Sequence, residues 1–208
     1  HFSLLVFSFS LRIMSFKIIV IGASKGGLSA LKTVLSALPA EFPLPVVIAQ
    51  HREKDSDEGL CQLLQKVSSL TVVEVEDKQP ILPGQIYLAP AGYHLLIESD
   101  RLPTSSCHFA LSTAEPVSYS RPSIDVLFES VAEGYGEGVI AVILTGTNKD
   151  GAKGLATIKQ AGGMAIVQDP NICEAESMPK AAIAATEVDK ILPLEEIGPF
   201  LTEMGRKD

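Results

Sequence analysis

The chain has 208 residues, which fits one domain or a large single α/β unit. Hydrophobic residues make up 46% and charged residues 20%, a balance that supports a substantial core and excludes wholesale disorder. The net charge is −8 and the longest basic cluster is the terminal Arg206-Lys207 pair, so duplex nucleic acid, which needs clustered Lys and Arg, is excluded as a partner.

Cys61, Cys107 and Cys173 are odd in number, widely spaced and without a C-x-x-C pair. Neither a zinc site nor a disulfide framework is indicated, and reduced thiols in a cytosolic protein are expected. No metal or cofactor is called for.

Taken from the start, Leu4 to Leu11 is apolar but too short to span a bilayer, and it lacks a basic region ahead of it and a small-residue cleavage site. Residues 1–16 read as a tag-like or disordered extension with no membrane insertion, and 17–205 as the catalytic domain. Lys17 to Ile21 is a β-branched run that feeds a tight turn at Gly22. Leu28, Leu31, Val34, Leu35 and Leu38 lie on one helical face, which Pro39 ends. Val46 to Ala49 predicts a second buried strand, Gly59 to Val67 a helix, and Leu70 to Val75 a strand. Ile86 to Ala89 and His94 to Ile97 predict two strands joined by a turn at Pro90-Ala91-Gly92. Leu102 to Ser120 reads as a loop with a little strand.

Ser123 to Tyr135 predicts a helix, Val139 to Leu144 a fully apolar strand, and Gly146 to Gly151 a polar loop. Helices follow at Ala152 to Gln160, Pro179 to Ala185 and Leu194 to Met204. Strands fall between them at Met164 to Gln168 and Lys190 to Leu192. Short apolar strands alternating with helices imply an α/β fold: a mostly parallel, doubly wound sheet with helices on both faces and a small antiparallel excursion in the middle.

The loop Gly22-Ala23-Ser24-Lys25-Gly26-Gly27 carries the chemistry. A dinucleotide fingerprint would need Gly at Ser24, and a phosphate loop would need Lys at Leu28. G-x-S-x-G is matched in full from Gly22 to Gly26, the pattern of a nucleophilic serine on a sharp strand-to-helix turn. The simpler reading is a Gly-rich turn whose serine caps the helix behind it. A serine hydroxyl also needs a base, and a base needs an orienting acid. His51 stands just past the second strand and Asp150 just past Val139 to Leu144. In a parallel sheet all three reach the same carboxyl edge. Asp150 could equally cap the helix Ala152 to Gln160. The Ser…Asp…His order of α/β-hydrolases would need another pair, such as Asp77 with His94 or His108.

The chain resembles the catalytic domain of the bacterial chemotaxis methylesterases, the protein-glutamate methylesterases that also deamidate glutamine. The resemblance runs from about Lys17 to Leu201. It rests on Ile21-Gly22-Ala23-Ser24 with Gly26-Gly27, Gln50-His51, Leu82-Pro83-Gly84, Ala89-Pro90 and His94. Further on it rests on Arg121 through Phe128, Leu144-Thr145-Gly146, Asp150-Gly151-Ala152 with Gly154, Gln160-Ala161-Gly162, and Met178-Pro179.

The resemblance implies hydrolysis of glutamate γ-methyl esters on the cytoplasmic helices of chemoreceptors, with Ser24, His51 and Asp150 as the triad. Two positions depart from the family's habit. Lys25 replaces the usual Thr and Thr147 the usual Met, both beside the expected oxyanion site. Only 16 residues precede the first strand, too few for the receiver domain that family members often carry. A free-standing enzyme or a fragment of a longer protein is expected. The rival expectations are an esterase of the same fold with another ester substrate, and a non-catalytic module that keeps the cleft for binding.

Overall fold

A computed structural model of the chain describes residues 15–52, 59–99 and 107–206. Its frame is a seven-stranded sheet in the order β3-β4-β2-β1-β7-β8-β9, every neighbouring pair parallel. The strands are β1 (Ile18–Ala23), β2 (Val46–Gln50), β3 (Thr71–Glu74), β4 (Gln85–Leu88), β7 (Val139–Ile143), β8 (Met164–Gln168) and β9 (Lys190–Leu192). The three central strands, IIVIGA, VVIAQ and VIAVI, are buried at every position. That is why their sequences run apolar without alternation: both faces are covered.

The cover differs on the two faces. Helices α1 (Gly27–Ser36), α2 (Gly59–Gln65) and α6 (Leu194–Gly205) place Leu31, Val34, Leu64, Ile197 and Leu201 in one core with Ile19, Ile21 and Ile48. Helices α3 (Ile124–Tyr135), α4 (Ala152–Gln160) and α5 (Ser177–Ala185) place Leu127, Phe128, Leu155 and Met178 in the other, against Ile18, Val20 and Ala141. Phe16, assigned from sequence to the extension, packs in the first core.

The antiparallel excursion is the hairpin β5 (His94–Ser99) with β6 (Cys107–Ser112). It lies on the α3 side, with Leu95, Ile97 and Phe109 in the second core. The two strands expected to meet at Pro90-Ala91-Gly92 therefore separate there: β4 stays in the main sheet and β5 leaves it. In the stretch read as a loop with a little strand, β6 takes six residues: it pairs with β5 along its length, and Phe109 and Ala110 are buried, Phe109 in the second core.

From β1 the chain steps through β2 to β3 and β4 on one side of the sheet, then crosses to β7, β8 and β9 on the other. The loops after β1 and β7 thus leave the carboxyl edge at the point where strand order reverses. Ligands of open α/β sheets bind at such a crevice.

Candidate active site

Ser24, His51 and Asp150 follow β1, β2 and β7, the three central neighbours. Backbone hydrogen bonds tie these loops together just past the strand ends. His51 N donates to Ala23 O at 2.9 Å, and Ser24 N to Thr145 O at 3.0 Å. Gln50 adds a side-chain bond from Nε2 to Ser24 O at 2.8 Å.

The glycines of the serine loop have local reasons. A Cβ at Gly22 would lie 2.5 Å from Ile124 Cγ2, so a larger residue would push α3 away from the site. Gly26 sits at φ 78°, in the left-handed region where glycine carries no steric cost, and turns the chain into α1. Gly26 is also the helix N-cap, and no side chain caps it. The serine-as-cap reading is thus not what the geometry adopts: Ser24 contributes its carbonyl, which accepts from Gly27 N at 2.9 Å. The N–H groups of Lys25, Gly26 and Thr147 donate to no protein group among the described residues. The side chains of Lys25 and Thr147 point outward and are exposed. Thr145 Oγ1 holds the turn from beneath by donating to Lys25 O at 3.0 Å.

Asp150 is completely buried. Its Oδ2 accepts from His51 Nε2 at 2.7 Å and from Ile124 N at 2.7 Å; its Oδ1 accepts from Ser123 Oγ at 2.8 Å and Asp125 N at 3.1 Å. Burial works to raise this carboxyl's pKa. The hydrogen bonds from His51, Ile124 N and Asp125 N together outweigh it and hold the pKa below the ordinary carboxylate value. The alternative role open to this aspartate in the sequence is a cap on α4, the helix that follows it. It caps α3 instead. At the start of α4, Asp125 Oδ1 accepts from the N-cap Gly151 N at 2.9 Å and from Gly154 N at 2.8 Å, while Ala152 N donates to Lys149 O. Two helices thus exchange caps. Each carboxylate lies at the positive end of the other's helix, which favours negative charge there. Asp125 is pushed the opposite way from Asp150: burial raises its pKa and the charge of Asp150 adds to that, against the two glycine N–H donors.

An ionised Asp150 can only accept, so His51 donates through Nε2–H and keeps its lone pair on Nδ1. That nitrogen faces Asn148 Nδ2 at 3.3 Å and Ser120 Oγ at 3.4 Å. Asn148 is oriented by its other end, where Oδ1 accepts from Asp150 N at 3.2 Å. Ser24 Oγ makes no hydrogen bond among the described residues, so the contact expected between Ser24 and the ring is not formed in this structure. His51 opens onto a cleft of about 440 Å³ that also reaches Arg52, Ser120 and Arg121. Ser24 lines a second, of about 420 Å³, with Lys32, Gln50 and Glu174.

The alternative set fares differently. His94 is buried, with Nδ1 accepting from Ser123 N at 3.2 Å and Nε2 donating to Glu115 O at 3.0 Å. Asp77 accepts from Leu111 N, and His108 lies 3.4 Å from Glu98. None of these is drawn to Ser24. Sequence reasoning gave no role to Ser123, Asn148 or Ser120. Ser123 stood in the Arg121–Phe128 block that carried the resemblance, a signal that marked the segment without giving its task.

Residues 19–201 match the family model described as CheB methylesterase. The chain belongs to the CheB methylesterase family. Among its relatives is a Leptospira interrogans protein named "putative protein-glutamate methylesterase/protein-glutamine glutaminase", 46% identical over 195 residues, which span 94% of this chain and 98% of that one. A Bordetella parapertussis protein named "protein-glutamate methylesterase/protein-glutamine glutaminase" is 41% identical over 192 residues, 91% of this chain but 53% of that protein, so the chain spans about half its length. The fold matches the crystal structure of the Thermotoga maritima CheB methylesterase catalytic domain with a TM-score of 0.86 and 37% identity, covering 91% of this chain and 99% of that one. CheB methylesterases are hydrolases, and the parallel sheet with its small antiparallel hairpin is their catalytic-domain fold. Among the described residues, no helix is long and apolar enough to cross a membrane.

Proposed function

We propose that residues 17–205 form a cytoplasmic methylesterase that removes methyl esters from glutamate side chains of chemoreceptor helices and deamidates receptor glutamines. Ser24 is the nucleophile, His51 the base and Asp150 the orienting acid. The observation that carries this reading is the 2.7 Å bond from His51 Nε2 to a buried, ionised Asp150, at the end of a strand adjacent to Ser24. The bond fixes the tautomer, leaving Nδ1 to take the Ser24 proton.

In the reaction, Ser24 Oγ attacks the ester carbonyl as its proton passes to His51 Nδ1. Asp150 stabilises the imidazolium that results. The N–H groups of Lys25 and Gly26, at the N-terminus of α1, and of Thr147, in the loop after β7, donate to no protein group among the described residues and are the donors for the oxyanion. The C–OCH₃ bond then breaks, and His51 returns the proton to the departing methanol. Water, deprotonated by His51, attacks the acyl-enzyme and releases glutamate and Ser24. With a glutamine substrate the leaving group is ammonia.

Methanol release from membranes bearing methylated receptors tests this reading. Wild-type protein should liberate methanol, and Ser24→Ala should not. Equal release by both would remove Ser24 from the mechanism; none from wild type would remove the receptor as substrate.

A further inference from the structure

The cleft in front of His51 has one wall unlike the rest of the molecule. Thr113 to Tyr119 are exposed without interruption, yet the segment is braced from below. Arg121 Nη1 donates to Thr113 O and Ala114 O, each at 2.8 Å. The buried His94 donates to Glu115 O at 3.0 Å. At the tip, Val117 and Ser120 exchange backbone bonds of 3.2 and 2.9 Å around a two-residue turn. Ser118 and Tyr119 take φ 50° and 61°, the left-handed pair that such turns ordinarily fill with Asn and Gly. A bulky aromatic there is strained, and strain of this kind persists where function holds it. Tyr119 is 104% exposed, so it contributes nothing to the core that would offset the strain. It nevertheless lines the same cleft as His51.

The charge of that cleft points to an occupant. Among the described residues that line the cleft, two are cationic and none is a carboxylate: Arg52, whose charge is paired with Glu74, and Arg121, whose guanidinium donates to backbone carbonyls. Such a pocket suits an acidic chain with apolar side chains between its carboxylates.

We propose that the Val117–Ser120 turn is the substrate-gripping wall of the site, with Tyr119 packing on an acidic polypeptide segment next to the residue being hydrolysed. This rests on the reading of the substrate as a protein-borne ester. Tyr119 thereby acts as a specificity residue: it contacts the polypeptide and takes no part in bond making at the carbonyl. A small ester never reaches it.

The test compares two substrates, receptor-bearing membranes and a small neutral methyl ester. Tyr119→Ala should lower kcat/KM on the receptor about 5- to 30-fold, chiefly through KM, as removal of an interface aromatic does. Small-ester hydrolysis should stay within about twofold, because only uniform binding of the remote segment is lost. Tyr119→Phe should retain receptor activity. Tyr119→Gly should reproduce the receptor loss without lowering Tm, since glycine suits φ 61°. Unchanged receptor activity in Tyr119→Ala, or an equal loss on both substrates, would overturn the proposal. The failure of wild type to act on the receptor would instead sink the reading on which it rests, so the two failures are distinguishable.

Discussion

The two halves of the site are built on opposite plans. On the acid side, Asp150 is fully buried and accepts four hydrogen bonds, two of them from the first turn of α3. On the nucleophile side, Ser24 is partly buried and its hydroxyl is bonded to nothing among the described residues, while its backbone is held at both N–H and C=O. The contrast separates what must be fixed before substrate arrives from what must be free to react with it. A carboxylate that orients a base gains from a rigid, dry setting; a nucleophile needs an open lone pair.

Mutations should divide along the same line. Ser24→Ala removes one free hydroxyl, so activity should vanish while Tm stays within a degree or two of wild type, as substitutions away from packed networks do. Asp150→Asn should lower turnover on the order of 10⁴-fold, because the amide disturbs the tautomer of His51. Asp150→Ala should also destabilise the fold by about 2–4 kcal/mol by stranding buried donors. A Tm for Asp150→Ala equal to that of Ser24→Ala would erase the distinction between the halves. Ser123→Ala should be milder, about 1–2 kcal/mol in denaturant unfolding, with a partial loss of turnover, since one of four donors to the carboxylate is removed.

The exchanged caps give a pH signature. The depressed pKa of Asp150 means its contribution to stability is present above the ordinary carboxylate range and is lost as pH falls through its own lower value. Asp125 has the opposite sign: its raised pKa favours the protonated form in the folded state, so its ionisation works against stability as pH rises through that value. Asp125→Asn keeps an acceptor for Gly151 N and Gly154 N while removing a buried charge and its repulsion from Asp150. It should raise Tm at neutral pH, and the gain should disappear in acid where Asp125 is already protonated. A gain independent of pH would show that ionisation of Asp125 is not its cause.

The smallest effect is expected at Lys25, whose side chain is exposed beside the nucleophile. Lys25→Thr should reduce activity on an acidic receptor fragment less than about threefold, more at low salt than at high, because exposed charges act weakly and are screened. Identical activity across a salt series would remove Lys25 from substrate attraction.

Much of this architecture was legible in the sequence because its signals are local. The apolar runs from Ile18, Val46 and Val139 announce buried strands, and Ser24, His51 and Asp150 each follow one directly, so a parallel sheet carries all three to one edge. What escaped depends on tertiary packing. Asp150 lies just before α4 in the chain, which suggests that it caps that helix; only the docking of α3 against α4 reveals that Asp150 and Asp125 trade helices. Nothing local indicates that His94, in the hairpin, meets Ser123 and through it the carboxylate. The sequence of Leu102 to Ser120 shows only a little strand in a loop and does not bound the six-residue β6, because only its two middle residues are buried, too short a signal for periodicity to register.

The central claim is that Ser24 is activated by His51 while otherwise left free. Labelling with a fluorophosphonate probe, followed by peptide mapping, tests it most directly. Wild type should form a single covalent adduct, on Ser24, and the adduct should be absent when His51 is replaced by alanine. An adduct on another serine, or undiminished labelling of Ser24 without His51, would contradict it.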